Sequence, residues 1–497
     1  MTETQLPVSW GLSLLLAFSV LWVALGVRLG RRSQSIEGFT VAGRNVGLAL
    51  GAATAAATWI TSNTVMLAPQ FALQLGVWGM LAYATASFGL LLFAPLSDRI
   101  RKLMPRGYTS AEFVRLRHGR VAHLVFMAIS LFYGLTWLVS MAIAGGILLE
   151  TLSGIPYVVG MTVILATCVI YTLVGGMFAV IGTDFIQTVI ILVGVVLVGV
   201  WVLGEAPAHE VHAALVERRP MLLDLAFPAA LMALFNNLLF GIGEIFHSNV
   251  WWSRAFAFRE GVASRAYMFG ALLWLPIPVA AGFLGLAAPA LGINVVRPDT
   301  VGPMVAAAVL GPAGAVIIFI VVFCSLASSI DSLLAATGDL LTHEVIKPAL
   351  DRGLLSRFAP GQDDEGRLRR AASLVILGLG LATWVVCWPW DQSGPGPWYE
   401  GDPVGSLATI LFFAGPLVAS AIGPIMTGLY SRRGSETGVV LALSLGTVAG
   451  LIAYFWLGWY TAALVGAAVS LTITLIDQVS TEPRFDWAAL NPSESPS

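Results

Sequence analysis

Apolar runs of about the length that crosses a bilayer recur along the whole chain, each bounded by charged or turn-forming residues. The hydrocarbon core needs about 20 apolar residues per helix. On that measure the pattern predicts helices near 8–28, 46–74, 77–97, 121–150, 155–174, 178–204, 225–251, 262–291, 302–343, 369–390, 404–430, 437–456 and 459–477. The expected class is an all-α polytopic membrane protein with about 13 transmembrane helices. An odd number of spans puts the two termini on opposite sides. The leading segment MTETQLPVSW has no basic residue, and Arg28, Arg31 and Arg32 follow the first apolar run. That arrangement argues against a cleavable signal peptide and for an outside amino terminus.

Composition agrees with this reading. Apolar residues make up 57% of the 497 and charged residues only 11%, against about 45–50% and 25% in ordinary soluble chains. A net charge of −2 offers no basic stripe to nucleic acid. A soluble enzyme and a disordered chain are excluded as well. Of 26 basic residues, 23 fall in alternate loops and the tail, leaving Arg218, Arg219 and Arg297 for the other side. By the positive-inside rule the first group is cytoplasmic, including the tail 478–497. The expected location is the plasma membrane, in a bacterium the inner one. Cys168, Cys324 and Cys387 stand singly in apolar runs, which suggests neither a disulfide framework nor a zinc site. No HExxH or GxSxG motif points to an embedded enzyme.

Polar residues at membrane depth are costly, so the exceptions carry information. In the second span, GAATAAATWITSNTVMLAPQFAL, Thr58, Thr61, Ser62, Asn63 and Thr64 crowd the middle and Pro69 follows. Five spans later LFNNLLFGIGEIFHSNVWWSR carries Asn236, Asn237, Gly241, Gly243, Glu244, His247, Ser248 and Asn249. Interrupted helices at matching places in two halves point to a transport site at a repeat interface. A five-span unit makes the second copy inverted. Close packing of small and hydroxyl residues accounts for Thr58 and Ser62 equally well. In the ninth span Ser325, Ser328, Ser329 and Ser332 recur at i, i+3, i+4 and i+7, and Asp331 lies about 60° round from Ser328. Hydroxyls and a carboxylate on one face, beside carbonyls freed by a broken neighbour, suit a hard cation. A serine-rich packing seam is the alternative.

Three strings carry a resemblance to a known family: GFTVAGR at 38–44, YTLVGGMFAVIGTDFIQ at 171–187 and SLASSIDSLLAATGDLLTHEV at 325–345. They resemble the signatures of the sodium/solute symporter family in the right order and on the right spans. The resemblance implies a leucine-transporter-type fold as one transmembrane domain. Its inverted five-helix repeats would cover about 46–204 and 225–430, with extra helices at 8–28, 437–456 and 459–477. It implies a main sodium site from the carbonyls of Ala57, Ile60 and Ser325 and the hydroxyls of Ser328 and Ser329. Asp184, Asp331 and Ser332 match a region that some members use for a second cation. An interfacial carboxylate ordering the inner gate explains Asp184 equally well. Asp339 and His343 continue the ninth-helix face, either as a release path or as solvated helix-end residues.

The solute site implied by the family lies between the broken spans. Here it would draw on Trp59, Thr61, Ser62, Asn63, Asn237, Glu244, His247 and Asn249, with Trp137 and Ser140 from the fourth span and Phe412 and Phe413 from the eleventh. The segment VWWSRAFAFREG is similar to the urea and polyamine branch, with Ser253 in place of its usual glutamine. The expectation is therefore sodium-driven symport of a small polar solute, urea-like or amino-acid-like, by alternating access. A proton-coupled or uncoupled facilitator on the same fold, and a membrane solute sensor, are the alternatives.

Overall fold

The computed structural model describes residues 6–31, 35–295, 297–354, 363–388 and 411–491. Parts of the expected tenth and eleventh spans, 389–390 and 404–410, lie outside the described residues. Those described form helices and the turns that connect them, with one isolated backbone bridge between Val46 and Phe258. Besides the short helices Ile36–Val41, Ala208–Arg218 and Lys347–Asp351, the α-helices are α1 (Val8–Gly30), α2 (Leu48–Trp59), α3 (Ser62–Ala84), α4 (Ser87–Leu103), α5 (Ser110–His118), α6 (Arg120–Ser153), α7 (Tyr157–Glu205), α8 (Pro228–His247), α9 (Asn249–Ala257), α10 (Ala263–Trp274), α11 (Pro276–Ala287), α12 (Val301–Leu341), α13 (Asp364–Cys387), α14 (Gly415–Ala419), α15 (Ile422–Tyr430), α16 (Glu436–Leu457) and α17 (Ala462–Ser480). Helix pairs the backbone groups of a segment within that segment, except in its first and last turns, as lipid demands.

Among the described residues, eleven helical runs are long and apolar enough to cross a membrane, not thirteen. Two junctions account for the difference. The run Ser62–Leu103 carries the end of the expected second span and the whole third, and Tyr157–Glu205 carries the fifth and sixth together. Within each, the backbone leaves helical geometry at one glycine, Gly76 at φ +70° and Gly176 at φ +51°. A Cβ on Gly76 would lie 1.8 Å from the Leu222 carbonyl oxygen, and one on Gly176 would lie 2.3 Å from that of Phe39. Both the backbone angle and the close approach require glycine.

α12 lies along α7, α11 along α3 and α16 along α17, while α1 packs on α7. Val189, Val193, Val196 and Val200 stay exposed on one face of α7, as Leu374, Leu377 and Leu381 do on α13. Those faces suit acyl chains. The interior holds what lipid would reject: Asp184, Arg254, Ser328, Asp331 and Ser332 are all fully buried. Two helices are broken inside this interior, between α2 and α3 and between α8 and α9. The start of α2 and the end of α9 are joined by main-chain hydrogen bonds from Val46 N to Ala257 O (3.1 Å) and from Arg259 N to Val46 O (2.9 Å).

Candidate functional site

The first break follows from local chemistry. α2 stops at Trp59, and Ile60 leaves the helix at φ −80°, ψ 78°. Thr61, extended, restarts it: its Oγ1 accepts from Thr64 N at 3.3 Å while Thr64 Oγ1 accepts from Thr61 N at 3.2 Å. This reciprocal cap satisfies the amides that a helix start leaves open. The carbonyls at the stop are shared differently. Trp59 O accepts from the Trp274 indole (2.8 Å) and from Thr64 Oγ1 (3.1 Å), and Ile60 N donates to Ala56 O (2.9 Å) and Ala57 O (3.1 Å). The second break is a single extended residue, Ser248, whose Oγ accepts from Val250 N at 3.3 Å.

α12 brings its hydroxyl face against the first break, where Thr58 Oγ1 and Ser332 Oγ lie 3.3 Å apart. Ser329 Oγ donates to Ser325 O at 2.9 Å, and Ser328 Oγ donates to Asp184 Oδ1 on α7. The other Asp184 oxygen accepts from Thr54 Oγ1 (2.5 Å) and from Arg254 Nη2 (3.3 Å). Arg254 also donates from Nε to Thr54 Oγ1 (3.0 Å), from Nη2 to Ser332 Oγ (2.6 Å) and from Nη1 to Val250 O (3.0 Å). Asp331 accepts from the Tyr171 hydroxyl (2.7 Å) and from Ser332 Oγ (3.2 Å). The expected second-cation residues Asp184, Asp331 and Ser332 thus meet, with a guanidinium among them.

Arg254 is the member of this cluster that sequence reasoning missed. Counted among basic loop residues, it lies on the buried helix α9 and is 0% exposed. An unpaired charge there would cost several kcal/mol. Its signal in the sequence was the apolar context on both sides, WW before Ser253 and AFAF after Arg254.

The expected solute residues divide. Trp59, Thr61, Trp137 and Asn237 line one closed void of about 10 Å³, together with Tyr83, Ala86 and Phe240. A space of this size holds about one water. Asn237 Nδ2 donates to Ala82 O at 2.6 Å, so one wall is fixed. Trp137 stacks on Phe240 at 5.9 Å, and Phe412, 6.0 Å from Phe240, continues the aromatic layer to Trp459 and Phe71. Tyr83 and Phe240 were invisible beforehand because aromatic residues in an apolar run look alike.

The remaining candidates lie elsewhere. Glu244 accepts from the Trp251 indole at 2.6 Å, and Trp251 meets Trp59 edge-on at 5.3 Å. His247 Nε2 pairs with Ser130 Oγ at 2.9 Å. Ser62 donates to Met141 Sδ, and Asn63 Nδ2 to Ser140 Oγ, both at 3.3 Å. Asn249 accepts from Ser110 N and donates to Ala336 O, each at 2.9 Å, which ties α9 to α5 and α12. Phe413 turns to Phe132, Tyr454 and Phe455. At the end of the bundle rich in arginine, a cleft of about 990 Å³ is lined by Tyr108, His123, His343 and Glu344 among others. Glu344 there accepts from Thr109 Oγ1 (2.7 Å), and Tyr108 stacks on His343 at 4.2 Å, which leaves His343 part-buried on the wall of the cleft.

Residues 39–394 match the model of the sodium:solute symporter family. The urea-proton symporter DUR3 of Oryza sativa subsp. japonica is 26% identical over 489 residues, covering 90% of this chain and 64% of that protein. The chain therefore spans a little under two thirds of that relative's length. The osmoregulated proline transporter OpuE of Bacillus subtilis is 25% identical over 482 residues, covering 93% of this chain and 89% of its own. Among solved structures, a substrate-bound, outward-open Na+-coupled sialic acid symporter superposes with a TM-score of 0.75 at 17% identity, covering 95% of this chain and 99% of the other. MhsT in complex with L-phenylalanine gives 0.54 at 16%, covering 87% and 98%. These likenesses establish the fold, and the family match over most of the sequence decides the rest: the chain belongs to the sodium:solute symporter family.

Proposed function

We propose that this protein is a secondary symporter that carries a small polar solute across the plasma membrane by alternating access, driven by sodium. The observation that carries the reading is the meeting of two broken helices with the hydroxyl face of α12, beside a closed void lined by Trp59, Thr61 and Asn237. Sodium would take the carbonyls of Ala57, Ile60 and Ser325 and the hydroxyls of Ser328 and Ser329. The proton of the Ser328 hydroxyl is directed away to Asp184, which leaves its lone pairs for a cation, while Ser329 donates to Ser325 O, itself one of the five ligands. Entry of one charge down the membrane potential supplies about 2.3 kcal/mol per 100 mV.

The solute would sit at the void, enlarged when the aromatic layer of Phe240 and Phe412 lifts. Its amide and aromatic lining suits a compact, uncharged, amide-like molecule, which agrees with the urea named for one relative. The repeats would run over about 46–204 and 225–430, since each begins with one of the two broken helices. The arginine-rich end would face the cytoplasm, with the amino terminus outside and the carboxyl terminus inside.

Uptake of labelled urea and proline into proteoliposomes, with sodium replaced by choline, tests the reading. Uptake that survives the replacement overturns sodium coupling. A second reading, coupling to a proton, is favoured by Asp331, whose hydrogen bonds come from neutral hydroxyls. Sodium-independent uptake that follows an imposed pH gradient would establish it.

A further inference from the structure

The guanidinium of Arg254 sits where three helices meet. It reaches Thr54 on α2, Asp184 on α7 and Ser332 on α12, while its own helix, α9, is a nine-residue piece standing beyond a break. The far end of α9 is bridged to the start of α2 through Val46 and Phe258. Nη1 is held by Val250 O within α9, which aims Nε and Nη2 out of the helix.

The hydrogen bonds run in one direction through this cluster. Thr54 accepts from Arg254 and donates to Asp184, so its single proton is committed to the carboxylate. Asp184 spends its other oxygen on the proton of Ser328. A hydroxyl whose proton is fixed presents its lone pairs on the opposite side. Asp184 is thus not placed as an ion ligand itself; it sets the direction in which Ser328 can ligate. Charges facing it are Arg254 from α9 and Asp331 from α12, with the Tyr171 hydroxyl and the Cys168 thiol of α7 beside Asp331.

We propose that Arg254 is a positioning residue that makes sodium binding at Ser328 depend on the docking of α9. With α9 docked, the guanidinium holds the Asp184 carboxylate against Ser328, and the lone pairs of Ser328 point at the first break. When α9 moves away, the guanidinium leaves with it. Asp184 then keeps only the neutral donors Thr54 and Ser328 in a buried place, where an unpaired carboxylate is strongly disfavoured, and the direction of the Ser328 hydroxyl is no longer held. Ion release is so tied to movement of the broken seventh span. Lysine could not replace this arginine, because the four acceptors Thr54, Asp184, Ser332 and Val250 O outnumber the three donors of an ammonium and need the planar fork.

The proposal rests on the sodium reading above, and sodium itself is the probe. The purified full-length protein is titrated with sodium chloride, with choline chloride as the ionic-strength control, and the rise in melting temperature gives the half-saturating concentration. Arg254→Gln and Ser328→Ala are each expected to raise that concentration at least tenfold. The double variant is expected to be no weaker than Ser328→Ala alone, since the two act in one chain. Should Arg254→Gln alone fail to fold, the pair Asp184→Asn with Arg254→Gln removes both buried charges together and is expected to show the same weakening. Wild-type sodium affinity in Arg254→Gln or in that pair, or effects that add in the double variant, would overturn the proposal alone. A wild-type protein that sodium does not stabilise overturns the sodium reading and the proposal with it.

Discussion

The indole N–H of Trp251 donates to Glu244 at 2.6 Å, closing a bond across the break at Ser248. One partner lies on each half of the seventh span, so this contact sets the angle between α8 and α9. Replacing Glu244 by Ala leaves a buried donor unpaired, at a cost of about 1–3 kcal/mol. Glu244→Ala is expected to lower the melting temperature by several degrees, and Glu244→Gln, which keeps an acceptor, to stay near wild type. Differential scanning fluorimetry of the three proteins decides it.

Val46 exchanges main-chain hydrogen bonds with the end of α9, donating to Ala257 O. Proline at 46 has no N–H to give. Val46→Pro is expected to free the two half-helices from each other. A cysteine placed at Phe258, fully buried here, should then react with a water-soluble maleimide many times faster than in the Val46 parent. Equal rates would show that the bridge holds nothing.

Phe240 closes the void on one side and stacks on Trp137. Truncation to alanine in a packed interior costs about 3–5 kcal/mol and leaves a cavity. Phe240→Ala is expected to be less stable yet to bind a bulkier solute than wild type does. Competition of a graded amide series against labelled urea uptake measures the change in size selection.

His118, on α5 outside the membrane-spanning runs, is buried, and burial lowers its pKa from 6.5 to about 3. The unfolded chain takes up this proton first, so the neutral imidazole favours folding above pH 6.5, and that contribution is lost as pH falls toward 3. The limiting slope is about 1.4 kcal/mol per pH unit for one proton. A neutral His118→Gln is expected to flatten the fall of melting temperature between pH 6.5 and 4. An unchanged slope would show that other groups dominate acid unfolding.

Both breaks were legible in the sequence. Thr61 through Thr64 supply the caps that restart α3, and Ser248 stands alone between two apolar helices. The serine face of α12 was equally plain, because a period of 3.6 residues places its members without reference to any neighbour. Asn249 shows where this reasoning ends: its polarity marked it as a solute residue, and its partners turned out to be Ser110 N and Ala336 O. Polarity at depth says that a partner exists, not which one.

What the sequence by itself determined is the class, the runs that become helices and the places where they break. In lipid each segment must satisfy its own backbone, so these properties follow from residues within a turn or two of one another. The tertiary structure alone decided that Arg254 leaves the loops for the interior, that Tyr83 and Phe240 wall the void, and that Ser328 gives its proton to Asp184, 144 residues away. Those pairings join side chains from distant helices. Their energies depend on which faces meet, and no local pattern of polar and apolar positions encodes that.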